Sequence, residues 1–226
     1  MPARALALTV ILAVMLGACS APTSPVAVEG RITVIGPDGS DRAAARPTIL
    51  GAATTTIGDD DGVLALHVAS GAGGSAIGRR LDSPLLALPY LNWGWRRGPD
   101  NPADAVPIRV RVGFNGADVF ERVAPTPPWL ASLARALPPA DRYVDLVWHS
   151  GSITPGLWIE TGGVPGLVMR NASTARESWQ IEAVDLATIH ARLWPNARRG
   201  ETTVAWVFVM VAPGTRSSLA ELVISR

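Results

Sequence analysis

The chain has 226 residues, of which 20 are basic and 19 acidic, and its formal net charge is +1. This near-neutral charge gives no electrostatic reason to expect nucleic acid as a partner. Every basic residue is arginine, which excludes chemistry that needs a lysine, and the single cysteine excludes intramolecular disulfides and multi-cysteine metal sites.

The N-terminal residues 1–18 predict a lipoprotein signal peptide. A basic start and an eleven-residue apolar run precede Leu16-Gly17-Ala18-Cys19, and at ~1.5 Å per residue such a run is too short to cross a ~30 Å hydrocarbon core. The tetrapeptide resembles the bacterial lipobox, which implies acylation of Cys19 and a membrane partner held through acyl chains. Ser20 then favours the outer membrane, facing the periplasm. The alternative is an ordinary secretory signal with an incidental cysteine.

Residues 19–47 are rich in Ala, Pro, Ser and Thr and predict a tether between the lipid anchor and the domain. Residues 26–35 within this stretch could form a first strand, because turn residues follow at 36–39. We place the folded domain at 48–226.

Short β-type runs dominate that domain. Residues 48–57 and 63–69 predict a hairpin, followed by a Gly-rich loop at 70–75 and a strand at 76–81. Further predicted strands are 90–96, 108–114, 143–149, 157–160, 166–171, 179–184, 202–211 and 219–224. Helical spacing appears only near 127–137 and at 185–193, where Asp185 can cap the helix. The pattern predicts a mainly all-β fold, a two-sheet jelly-roll-like β-sandwich with one or two short helices.

Alternation along four of these strands separates an apolar face from a polar face. By this parity Trp93, Trp95, Trp148 and Trp179 belong to the core, whereas Trp129 and Trp158 lie beside loops. The polar face has two interpretations, a ligand-binding face with arginine forks or a solvated face with cross-strand ion pairs. The candidate ligand-binding residues are Asn92, Arg109, Arg111, Asp145 and His149, accompanied by Arg96 and Glu182.

Catalytic motifs are scarce in the sequence. There is no Gly-x-Ser-x-Gly elbow, and the three histidines do not have metal-ligand spacing, so we predict no catalytic residue, no metal site and no cofactor. The Asp59-Asp60-Asp61 turn is either a hairpin tip or a calcium site. Glu160, Glu177 and Glu182 are candidates for glycoside hydrolysis by residue type alone.

Several stretches, taken in order, resemble a bacterial exported-protein family known as domain of unknown function 3047. They are residues 63–68, 77–82, the Leu91-Asn92-Trp93-Gly94-Trp95 strand, 109–114, 147–148, 179–194 and 202–211. The resemblance covers roughly 48–226 and implies an exported β-sandwich without an assigned activity. Arg109 matches the family's strand arginine, but residues 212–216 lack the family's acidic turn.

Together these features predict a lipid-anchored cell-envelope protein that acts as a non-catalytic binding module for a glycan or another envelope component. Two alternatives stay open at this point. One is a glycan-active hydrolase that uses unrecognised carboxylates, and the other is a structural subunit of an envelope assembly, which a large exposed apolar patch would indicate.

Overall fold

The computed structural model describes residues 30–37, 47–102, 105–106, 108–116, 128–174 and 178–226. The predicted signal at 1–18 and Cys19 lie outside these ranges. The described strands are β1 (Arg31–Ile35), β2 (Thr48–Asp60), β3 (Val63–Pro84), β4 (Tyr90–Arg97), β5 (Ile108–Asn115), β6 (Arg142–Trp148), β7 (Trp158–Thr161), β8 (Val164–Arg170), β9 (Gln180–Asp185), β10 (Thr203–Val211) and β11 (Arg216–Ser225). The helices are α1 (Pro128–Ala136) and α2 (Leu186–Leu193), and a 3₁₀ turn spans Arg199–Glu201. Neither helix is long and apolar enough to cross a membrane.

The strands form one continuous sheet that folds over into two layers. Layer A contains β9, β4, β11, β1 and the first half of β3, whereas layer B contains the second half of β3 followed by β10, β5, β6, β8 and β7. Strand β2 pairs with both halves of β3, so residues 53–60 belong to layer A and residues 48–51 to layer B. Only the β6–β8 pairing is parallel among the described strands. The predicted jelly-roll-like β-sandwich is confirmed, although its two layers belong to a single sheet.

The Gly-rich stretch at 70–75 is the corner between the layers. We expected a loop there, and this prediction is wrong, because β3 continues through it as a wide bulge. Before the bulge β3 pairs with β11, and after it with β10. Glycine permits the close packing at this corner, since a Cβ on Gly51 would lie 2.6 Å from the carbonyl oxygen of Gly74.

The main core lies between the layers. Trp93 and Trp95 from layer A and Trp148 from layer B are buried in it, which confirms their predicted core positions. A second, smaller cluster lies outside layer B, where Leu130 and Leu133 of α1 pack near Trp206 of β10. Strand β10 is therefore covered on both faces, as its continuous apolar run predicts.

Strand β1 belongs to the sheet. Its residues pair with β11, from Arg31 opposite Ser225 to Ile35 opposite Leu222. The strand expected at 26–35 is thus described over Arg31–Ile35, and the sheet begins before residue 48, where we placed the start of the domain.

The parity expected for β9 is reversed in the structure. Ile181 is 78% exposed, whereas Glu182 and Val184 are buried between the layers. Glu182 accepts hydrogen bonds from Trp95 Nε1 at 3.2 Å and from Arg170 Nε at 2.8 Å. The carboxylate therefore has partners from both β4 and β8, and these contacts offset the cost of burying it.

Helix α2 follows β9 directly, as the sequence predicts. The side chain of Asp185 accepts hydrogen bonds from the backbone N–H of Thr188 at 2.9 Å and from its hydroxyl at 2.7 Å. This N-cap fixes the start of the helix, and its apolar face packs Leu186 and Ile189 into the main core.

Candidate functional site

The outer face of layer A carries a groove of about 260 Å³. Gly94 of β4 and Ala220 of β11 lie side by side among its lining residues, so the sheet presents little side-chain bulk there. Trp179 and the exposed Ile181 add apolar surface from the β9 side. This volume is slightly below the ~300–1,000 Å³ range of small-ligand sites.

Trp179 is fixed in place by contacts on both sides of the groove. Its Nε1 donates a hydrogen bond to the backbone carbonyl of Asp60 at 3.1 Å, so the half-buried indole reaches from the β9 edge to the β2–β3 turn. A Cβ on Gly94 would lie 3.9 Å from Cε3 of the indole and only 2.9 Å from Cβ of Ala220. The position expected for Trp179 in the core is therefore wrong, because this side chain lies on the outer face.

Polar groups stand at the rim of the groove. Asn92 lines it and donates a long hydrogen bond from Nδ2 to the hydroxyl of Ser225 at 3.4 Å. Glu221 also lines it and forms a half-exposed ion pair with Arg31 of β1. An apolar surface with an amide and a carboxylate at its edge suits a ligand that has both apolar faces and hydroxyl groups.

Arg109, Arg111 and Asp145 form a buried ion cluster on the outer face of layer B. Asp145 is 0% exposed and accepts three hydrogen bonds, from Arg109 Nη1 at 2.6 Å, Arg111 Nε at 2.6 Å and Arg111 Nη2 at 2.8 Å. The Nε of Arg109 is buried without a hydrogen-bond partner among the described residues. Two cations share one carboxylate, and ligand binding by this cluster stays a prediction.

The five candidate ligand-binding residues do not form one face. Asn92 lies on layer A, whereas the Arg109–Arg111–Asp145 cluster lies on layer B. His149 follows the end of β6, where its Nδ1 accepts a hydrogen bond from the backbone N–H of Gly151 at 2.9 Å. The alternation expected along β4, β5 and β6 holds within each of these strands, but it does not show that β4 belongs to a different layer from β5 and β6.

The carboxylates considered for hydrolysis have separate positions. Glu182 is buried and hydrogen-bonded by Arg170 and Trp95, Glu160 is exposed on β7, and Glu177 lies outside the described residues.

The acidic turn considered for calcium pairs with an arginine. At this β2–β3 turn, Asp60 and Asp61 each lie 2.5 Å from Arg96 Nη1. The part of the chain that the structure describes contains no group of three or more His, Cys, Asp or Glu residues suited to a metal ion.

Sequence reasoning missed two arrangements. The groove itself was missed because Trp179 was assigned to the core, although the glycine of Trp93-Gly94-Trp95 was a usable signal for a ring packed on the sheet. A hydrogen bond between His67 Nδ1 and the hydroxyl of Ser218, 3.0 Å long, crosses from β3 to β11 on the same outer face. No motif spacing could indicate this pair, since the residues are 151 positions apart.

Two solved structures are similar to this chain at low sequence identity. No family model and no curated protein matches this chain. Endoglucanase 3 of Trichoderma harzianum, from family GH12, is similar in structure with a TM-score of 0.41 and 8% identity, covering 80% of this chain and 95% of that one. The catalytic domain of Humicola grisea Cel12A, solved with a soaked thio cellotetraose, has a TM-score of 0.40 and 12% identity, covering 85% of this chain and 91% of that one. Both TM-scores are below 0.5.

Proposed function

We propose that this chain is a non-catalytic binding module whose ligand is a glycan, bound in the layer A groove against Trp179. The observation that carries the proposal is the position of the indole, which is hydrogen-bonded to Asp60 and packed over Gly94 on the outside of the sheet. Sugar rings have apolar C–H faces that pack on indoles, and their hydroxyl groups need amide or carboxylate partners such as Asn92 and Glu221.

Binding is tested with a glycan array and soluble peptidoglycan fragments, followed by calorimetry on any ligand found. We expect Trp179→Ala to weaken binding at least about tenfold, which corresponds to about 1.4 kcal/mol. Trp129→Ala is the matched control, because Trp129 is also half-buried but belongs to α1, which packs outside layer B. Equal affinity of Trp179→Ala and the wild type, or no binding by the wild type, would contradict the proposal. Release of reducing sugar ends by the purified protein would instead support the alternative that it is a glycan-active hydrolase.

We also propose that the module is anchored to the membrane through acyl chains on Cys19, with the domain exported and facing the periplasm. The lipobox-like Leu16-Gly17-Ala18-Cys19 supports this anchor. Two or more acyl chains give stable attachment, since each buried CH₂ contributes about 0.8 kcal/mol.

Cell fractionation tests the anchor. We expect Cys19→Ser to move the protein out of the membrane fraction, while Ser20→Ala, one position further along the chain, leaves it there. A Cys19→Ser protein that stays in the membrane fraction as completely as the wild type would exclude acylation of Cys19 as the anchor.

A further inference from the structure

Strand β2 is a long edge of the sheet. Its thirteen residues pair with β3 along one side, and no described strand pairs with its other side. Most of its side chains are exposed, including Ile49 at 45% and Ile57 at 58%. The backbone groups along such an edge can pair with another strand.

Most of β2 lacks the charged residues and prolines that usually protect an edge strand against such pairing. Sheet edges normally carry charged residues or proline, which prevent association with other chains. Residues 48–58, TILGAATTTIG, contain neither a charged residue nor a proline. This exposed, uncharged eleven-residue stretch of the edge is therefore suited to a specific strand partner.

The spacing of the isoleucines along β2 allows this edge to pair with the same edge of a second copy of the chain. When two β2 strands run antiparallel about a two-fold axis at Ala53, Ile49 of each copy lies opposite Ile57 of the other. Both isoleucines are on the inner side of the sheet, since their β3 partners Ile77 and Leu66 belong to the main core or pack against it. Directly opposite residues in an antiparallel pair share a face, so the exposed isoleucines contact each other twice.

The bend in β2 is compatible with the same two-fold axis. The corner of the sheet interrupts the β2–β3 register between Gly51 and Ala53, immediately next to the two-fold axis at Ala53. Both copies therefore bend at the centre of the pairing. Charge is compatible as well, since Asp59 lies opposite Pro47 of the other copy and no two like charges face each other.

We propose that the protein forms a homodimer in which the two β2 strands pair antiparallel about Ala53 and extend layer A of one copy into layer B of the other. This interface is distinct from the groove, which opens on the outer face of layer A, and it does not depend on the proposed glycan ligand.

Sedimentation of the purified full chain in detergent tests the dimer and its register. We expect a concentration-dependent dimer, weakened at least about tenfold by Ile49→Lys, because a lysine would face Ile57 of the other copy. The double variant Ile49→Lys with Ile57→Glu should restore the dimer, since each lysine then faces a glutamate. Leu64→Lys is the matched control, with the same 45% exposure but a position on β3. A double variant as weak as Ile49→Lys would overturn the proposal.

Cross-linking gives an independent measurement that does not depend on the charge variants. Directly opposite Cα atoms in antiparallel strands are about 4.5–5.5 Å apart, within the range that a disulfide needs. Ala53→Cys should therefore form a covalent dimer under mild oxidation, whereas Leu64→Cys should not. Equal cross-linking of the two variants would overturn the proposal. A wild-type monomer whose β2 amides are protected from hydrogen exchange would also overturn it, by showing that another segment of the same chain covers the edge.

Discussion

Asp145→Asn is expected to lower the free energy of unfolding by about 3–5 kcal/mol, measured by urea denaturation. The substitution leaves Arg109 and Arg111 buried without the carboxylate that both contact at 2.6 Å. Removing one partner of a buried ion pair costs this much because the remaining charge loses its compensation away from water.

A matched control separates this effect from the loss of a carboxylate as such. Asp100 forms an exposed pair with Arg216 at 3.4 Å, and Asp100→Asn should change stability by less than about 1 kcal/mol. Replacing all three cluster residues with apolar ones, Arg109→Met, Arg111→Met and Asp145→Leu, should recover much of the stability lost in Asp145→Asn. If Asp145→Asn were as stable as Asp100→Asn, the cluster would not hold β5 and β6 together as the structure indicates.

Acid should destabilise the protein through His190. Its imidazole is fully buried in contact with the rings of Phe114 and Trp194. Burial, followed by the nearby charges of Arg142 and Arg199, lowers the pKa of His190 from its ordinary 6.5 to about 4. The unfolded chain therefore binds this proton at a higher pH than the folded protein does.

The direction of the pH effect follows from that difference. Well above pH 6.5 His190 is neutral in both states, and the stability is at its full value. Between pH 6.5 and about 4 only the unfolded state takes up the proton, so the free energy of unfolding falls, by up to roughly 3 kcal/mol at about 1.36 kcal/mol per pKa unit. Below that range both states are protonated and the loss is complete.

Urea unfolding at pH 7.5 and pH 4.5 measures this contribution. His190→Phe should lose less stability between the two pH values than the wild type, because the carboxylates that titrate in the same range are common to both proteins. His149→Gln controls for the removal of a histidine elsewhere in the fold. If His190→Phe and the wild type had the same pH dependence of stability, His190 would not be the buried neutral group that we infer.

Local patterns in the sequence predicted most of the strand positions. The alternation around Trp93, Trp95 and Trp148 identified their buried face, and Asp185 identified the start of α2. These features depend on neighbouring residues only, because strand alternation and helix capping are set by the backbone within a few positions. The mainly β class follows from the same local patterns.

The functional surfaces depended on contacts between distant segments. Trp179 lies outside because Gly94, on another strand, leaves room for its ring, and because Asp60 accepts its hydrogen bond. Asn92 and Arg109 were expected on one polar face, but the corner of β3 places their strands in different layers. Alternation along a strand shows which of its residues share a side of the sheet. It does not show which strands contribute those sides to one surface.

The sequence by itself thus determined where the strands, the helix cap and much of the core lie, since these follow from local periodicity. Only the tertiary structure decided the inward position of Glu182, the outward position of Trp179 and the pairing of Arg109, Arg111 and Asp145. The physical reason is the same in each case. A polar or aromatic side chain occupies the side on which its partners lie, and those partners come from strands that only the folding of the sheet brings together.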